Sequence, residues 1–169
     1  MSASIASASI LQINVSRGGV PKQSIPSGEV NALGIAGDAC AHPGIHGGPE
    51  QALLLITFEG IQELIAAGFP LFNGALGENI TTRGLDRRML RVGQRYRLGE
   101  IVIELTKVRQ PCDQLNVYGP GIQRAVYDMQ MHSGDVSSPR WGLSGMYASV
   151  AQPGTIHPGD PIVLLDQWA

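Results

Sequence analysis

The sequence predicts a mainly β fold, a closed or nearly closed β-barrel with one clear helix and one or two minor ones. Three observations carry this expectation. The 169 residues include 22 Gly and 11 Pro, nearly a fifth of the chain, which implies many turns between short elements. Hydrophobic residues make up 43% and aromatic residues only 5%, so the core is aliphatic. About eight apolar stretches of strand length recur along the chain, with a single convincing helical period. The length suits one core. Residues 1–9, a Ser/Ala-rich start, read as a flexible N-terminal tail, and residues 10–169 as a single domain.

Ile10 to Val15 reads as a first strand, stopped by Arg17-Gly-Gly. Gly34 to Asp38 is a turn-rich approach to a Pro-Gly loop at Pro43 and Gly44. Ala52 to Phe58 is apolar without alternation, as expected of a strand buried on both faces. Glu59 to Ala67 is the clear helix: Ile61, Leu64 and Ile65 share a face, and Gly68 stands where a terminating glycine belongs.

Further on, Tyr96 to Leu98 is expected to pair with Ile101 to Arg109 across Gly99-Glu100, a two-residue hairpin turn. Period-two parity puts Arg109 on the face of Ile101, Ile103 and Leu105 if that strand stays regular. Pro111 cannot donate to a ladder, so the strand ends by Gln110 and Cys112 opens a loop. Gln123 to Met131 reads as a short helix. Tyr147 to Ala151 and Ile162 to Leu165 read as closing strands, joined by a tight polar turn from Gly154 to Pro161.

Net charge is −2, which gives no general argument for a nucleic-acid partner. Arg83, Arg87, Arg88, Arg91, Arg95 and Arg97 nevertheless crowd one stretch. They read first as a solvated face and second as an anion-facing wall. Without interleaved aromatics, single-strand stacking is not expected there. The start lacks the pattern of a signal peptide and no stretch is long and apolar enough to span a membrane, so the expected location is the cytoplasm.

Nucleophile-elbow, Walker, zinc-protease and dinucleotide fingerprints are absent, and four polar loop segments remain. Arg17-Gly-Gly-Val-Pro-Lys22 offers backbone N–H groups and a point charge to an anion, or is an ordinary turn. In the second segment, Cys40, His42 and His46 do not have zinc-site spacing. His46, before Gly47 and Gly48, reads as a lone imidazole suited to a phosphate or carbonyl.

In Gly77-Glu78-Asn79, Asn79 carries the donors and acceptor needed to read a heterocycle edge, and Glu78 could hold a proton. The alternative is a locally bonded turn. In Arg109-Gln-Pro-Cys112, positive charge beside a thiol favours its thiolate, available as nucleophile or soft metal ligand. A lone cysteine is otherwise a buried inert thiol, and Cys40 keeps that reading.

In order, these segments resemble the MOSC family, the domain shared with the C-terminal part of molybdenum cofactor sulfurases. The similarity runs from about Leu11 to Leu165. It includes Gly34-x-x-Gly37-Asp38, His46-Gly-Gly-Pro-Glu-Gln-Ala, Gly77-Glu78-Asn79, Arg109-x-Pro-Cys112, Gly145-Met-Tyr-Ala-Ser-Val and Gly154-x-Ile-x-Pro-Gly-Asp160, and looks closest to stand-alone bacterial members. The resemblance implies a β-barrel-centred fold whose pocket holds the pterin-based molybdenum cofactor, molybdopterin. Cys112 matches the family cysteine taken as molybdenum ligand or sulfur carrier. Lys22, His46, Gly47, Asn79 and Arg109 match motif positions expected around the cofactor, with Lys22 and Arg109 toward its phosphate or pterin. Arg140 and Trp141 are expected to add a further wall.

The resemblance also implies a function. The leading expectation is an oxidoreductase that reduces N-hydroxylated bases or related small compounds, with Cys112 as metal ligand. Its electrons would come from a separate reductase, since no flavin or nicotinamide fingerprint is present. The alternative is a non-catalytic carrier of molybdenum cofactor or persulfide sulfur. The pyridoxal-phosphate desulfurase domain is missing, so no pyridoxal phosphate is expected. The N-terminal barrel of longer relatives is missing too, which leaves substrate recognition to a homodimer, partner proteins or shorter loops. Nucleic acid and membrane are not expected partners.

Overall fold

The computed structural model describes residues 7–39 and 47–165. Cys40, His42 and His46 therefore lie outside the described residues, as does most of the expected N-terminal tail. In chain order the elements are β1 (Ser9–Val15), β2 (Gln23–Ile25), β3 (Gly28–Asn31), β4 (Gly34–Ile35), β5 (Leu53–Thr57), α1 (Phe58–Ala66) and β6 (Ile80–Arg83). They continue with β7 (Arg95–Leu98), β8 (Ile101–Val108), α2 (Ile122–Val126), α3 (Met129–His132), β9 (Met146–Gln152), β10 (Gly154–Ile156) and β11 (Ile162–Leu164). Three short 3₁₀ turns, Pro49–Gln51, Arg87–Met89 and Asp113–Tyr118, lie between them.

Every residue of β5 is buried, as its unbroken apolar run predicts. Leu53 and Leu55 point into the main core with Ile13, Ile80, Ile103 and Ala148. Ile56 points the other way, into a second cluster with Ile61, Leu76, Leu115 and Leu143. Helices and loops thus cover the outer face of a curled sheet whose inner face holds the larger core.

The mainly β expectation holds, but the hydrogen bonding does not make a closed barrel. Eight strands form one open sheet in the order β11-β7-β8-β9-β5-β6-β1-β2, and β10-β3-β4 form a second. The start of β1 meets the residues before β11 through one isolated bridge, Ser9↔Pro161. Ile10 N donates to Asp160 O at 2.9 Å there and Ile162 N to Ala8 O at 2.9 Å, but no ladder follows. β1 begins at Ser9, one residue before the strand start expected at Ile10.

β7 and β8 pair Leu98↔Ile101 across Gly99-Glu100, the expected two-residue hairpin. The parity expectation for Arg109 fails. Register between β8 and β9 shifts between Leu105 and Lys107, an extra residue that resets the alternation. Val108 then packs against the main core, and Arg109 is turned to the opposite side.

α1 starts one residue earlier than expected, with Thr57 Oγ1 capping Gly60 N at 3.1 Å. Ile61 and Leu64 are buried, whereas Ile65 is exposed. The single helix expected over Gln123 to Met131 is two. Asp128 stands between them because its side chain accepts from Met131 N at 2.8 Å and starts a new turn. The Gly34 approach is the short strand β4, and part of the expected polar turn after Gly154 is β10, which pairs with β3.

Gly145, just before β9, has φ +103, and a Cβ there would stand 3.0 Å from Leu55 O and 2.9 Å from Ile56 Cγ1. Its carbonyl accepts from Arg109 N at 2.9 Å. Gly145→Ala is expected to lower stability by about 1–3 kcal/mol, read as an earlier urea midpoint at unchanged slope. A midpoint equal to that of the unaltered protein would contradict this packing.

Candidate functional site

A cleft of about 150 Å³ opens on the outer face of the sheet. It lies where the loop after β1, the residues before β6, the end of β8 and the start of the Asp113–Tyr118 turn converge. Lys22, Asp38, Gly47, Asn79, Arg109 and Cys112 all line it. Of the expected site residues the fold brings five together here. His46 lies outside the described residues. Arg140 is elsewhere: it is partly exposed, lines a surface groove with Tyr127 and Met129, and approaches Asp128 at 3.5 Å.

One wall is a buried polar lattice. Val20–Pro21 is a cis peptide, and Lys22 follows it. Lys22 N donates to Gly74 O at 2.9 Å. A Cβ on Gly74 (φ +96) would run into the Lys22 carbonyl, so only glycine permits this approach. The Lys22 ammonium lies 2.6 Å from Asp38 Oδ1, with both side chains mostly buried. Asp38 Oδ1 also accepts from Ser16 N at 2.9 Å, and Oδ2 accepts from Asn79 Nδ2 at 2.8 Å.

Asn79 is committed to the protein at both ends of its amide, since its Oδ1 accepts from Leu54 N at 3.0 Å. It therefore holds the wall in place, and the expected reading of a heterocycle edge by this side chain is not what its bonds permit. Gln51 offers what Asn79 lacks. It lines the same cleft, and its Oε1 is buried without a donor among the described residues.

The opposite wall carries Arg109 and Cys112. Arg109 is only 6% exposed. Its Nη1 donates to Ser144 O at 3.3 Å, and Ser144 Oγ donates back to Arg109 O at 2.6 Å. Among the described residues no carboxylate lies within ion-pair distance of this guanidinium. Burial pushes the guanidinium below its usual range, opposed by the charges of Tyr147, Cys112 and Glu78. Cys112 is a half-buried free thiol that begins the Asp113–Tyr118 turn.

Behind this wall is Glu78, fully buried. Its Oε1 accepts from Gly74 N and from Thr81 Oγ1, while Oε2 has no partner among the described residues. Burial pushes its pKa up to about 7, against hydrogen bonds and the Arg109 charge that pull it down. Among the described residues no three His, Cys, Asp or Glu side chains cluster as metal ligands.

Sequence reasoning missed Asp38, Gln51 and Tyr147 as cleft residues. The signal for the first was available, because Asp38 closes the Gly34-x-x-Gly37-Asp38 motif. Within the arginine-rich stretch three side chains are held in separate ion pairs. Arg87 lies 2.9 Å from Glu63, Arg88 2.9 Å from Asp86 and Arg95 3.1 Å from Glu104.

Residues 42–163 match the MOSC domain family model. The chain is 31% identical over 134 residues to the uncharacterized protein YflK of Bacillus subtilis, covering 78% of this chain and 55% of YflK. A Gibberella moniliformis protein named "Reductase" is 29% identical over 145 residues, covering 81% of this chain and 23% of that protein. The crystal structure of YiiM from Geobacillus stearothermophilus superposes with TM-score 0.71 at 25% identity, covering 94% of this chain and 75% of that one. The chain thus spans little more than half the length of YflK and a quarter or less of the fungal protein.

Two measurements test this geometry. Glu78 keeps its proton in the folded protein up to about pH 7, whereas an ordinary glutamate loses it near 4.5. Between those values the folded state binds the extra proton, so stability falls as pH rises, by roughly 3 kcal/mol across the window. Denaturation curves from pH 4.5 to 8 should show that fall, and Glu78→Gln should remove it. Arg109→Met replaces a buried guanidinium that has no ion-pair partner among the described residues with an apolar chain. A gain of roughly 1–3 kcal/mol in unfolding free energy is expected, and a loss would show that Arg109 is structurally satisfied.

Proposed function

The chain belongs to the MOSC domain family, and from that premise we propose that it binds a molybdenum cofactor in this cleft. It then serves as the molybdenum-bearing component of a reductase for N-hydroxylated bases or related compounds, with Cys112 as the protein ligand of the metal. The observation that carries the reading is a free thiol on the wall of one cleft beside a buried guanidinium that has no carboxylate within ion-pair distance among the described residues.

The residues present fit such a group. A metal that brings its own sulfur ligands needs one soft protein donor, and Cys112 is that donor. An anionic group needs a fixed cation, and the planar Arg109 has donors to spare beyond Ser144 O. A heterocycle with N–H groups needs a buried acceptor, which Gln51 Oε1 supplies.

A bound molybdenum cofactor would supply two-electron redox and oxygen-transfer chemistry. The chain's own groups bind and orient. Arg109 holds the anionic portion, Lys22 keeps one N–H donor beyond Asp38 and Ser16 Oγ for a neutral acceptor, and Asn79 keeps the wall rigid. Glu78 holds a proton near neutral pH, buried behind the cleft. Electrons come from a separate reductase, and the fungal relative's name supports reduction as the reaction type.

Protein produced in a host that makes the cofactor should contain molybdenum and reduce N-hydroxylaminopurine with an electron donor. Cys112→Ala should lose both, and Arg109→Gln should lower cofactor retention roughly tenfold or more. Equal activity in the Cys112→Ala protein would overturn the assignment. A half-exposed thiol also suits a persulfide carrier. A stable added sulfur on Cys112 by intact-mass measurement, with no bound pterin, would favour that reading.

A further inference from the structure

The cleft contains two cations, and the structure treats them differently. Arg109 faces it with no carboxylate at ion-pair distance among the described residues. Lys22 is paired at 2.6 Å with Asp38, and the pair is largely shielded, at 10% and 16% side-chain exposure. Asp38 is itself held from two further sides, by Ser16 N and Asn79 Nδ2, so it cannot swing away without leaving both donors unsatisfied.

We propose that Asp38 is a specificity-determining residue, the resident counter-anion of Lys22, which limits the cleft to ligands with one anionic group. That group goes to Arg109. A second anionic group brought to Lys22 meets the Asp38 carboxylate, and like charges in a poorly solvated cleft repel strongly. The portion of ligand near Lys22 is therefore neutral and accepts a hydrogen bond from the ammonium.

The inference rests on Arg109 as the anion anchor, but it fails separately. In the unaltered full chain, titration calorimetry with inorganic phosphate and with pyrophosphate should give affinities within about threefold of each other, despite the extra charge of pyrophosphate. Asp38→Asn keeps the shape and removes the charge, and should bind pyrophosphate roughly tenfold more tightly than the unaltered protein. Adding Lys22→Met to Asp38→Asn should abolish the gain, and Asp38→Glu should keep the original ratio.

Pyrophosphate binding tenfold tighter than phosphate in the unaltered protein overturns the proposal, and this measurement needs no variant to fold. A gain below about twofold in a folded Asp38→Asn protein overturns it as well. If Arg109→Gln leaves phosphate affinity unchanged, the anchor assignment falls. A Lys22-dependent gain in Asp38→Asn would still uphold Asp38 as the counter-anion.

Discussion

The side-chain amide of Asn79 is the joint on which the sheet and the cleft both depend. Its backbone N donates to Leu54 O at 2.9 Å, and its carbonyl accepts from Asn14 N at 2.7 Å. Its Oδ1 accepts from Leu54 N, and its Nδ2 reaches Asp38. β6 begins one residue later, at Ile80. The amide therefore continues the bonding of three strands where their ladders run out. Aspartate would present a carboxylate to Asp38, and an apolar residue would strand Leu54 N in the interior. A primary amide supplies an acceptor oxygen and a two-donor nitrogen on separate atoms of one short stem.

From that joint the two walls follow by different routes. Asn79 fixes Asp38, and Asp38 fixes Lys22, so one wall is a chain of charge-assisted bonds with few degrees of freedom. The other wall depends on backbone geometry. The extra residue between Leu105 and Lys107 turns Arg109 away from the core face, and the bond from Arg109 N to Gly145 O pins its position. Pro111 ends the extended stretch, and Cys112 opens the turn beyond it. A small displacement on either wall would move a charge, which explains why so many glycines and buried polar groups surround a small cleft.

Local patterns were readable wherever one residue type decides the structure. The apolar run of β5, the Gly99-Glu100 hairpin and the helix expected over Glu59 to Ala67 before Gly68 follow from burial, turn chemistry and a terminating glycine, which act within a few residues. What escaped depends on distant partners. The bulge in β8 is set by its register with β9, and nothing in Leu105-Thr-Lys107 announces it. β3, β4 and β10 are too short to show alternation and exist because they pair with each other. Asn79 looked like a recognition residue because its donors and acceptor are visible in sequence, whereas Leu54 and Asp38, which occupy them, are 25 and 41 positions away. The open sheet order was equally hidden, since strand count alone does not say whether a last ladder forms.

The wall bearing Arg109 is also where the fold departs furthest from what stability alone would select. Among the described residues, fully buried Glu78 has one unpartnered oxygen, and buried Arg109 has no carboxylate within ion-pair distance. Ionised together they would compensate each other in part, yet burial raises the Glu78 pKa to about 7, so near neutral pH the compensation is incomplete. Local rules of burial and pairing are broken at two adjoining positions, next to the cleft that also bears the free thiol of Cys112. Such departures are retained where a ligand supplies the missing partner. An anion at Arg109 would do so, and it would make the bound protein more satisfied electrostatically than the empty one. The same physics that weakens the empty fold then strengthens the complex, which ties the stability of this chain to its occupancy.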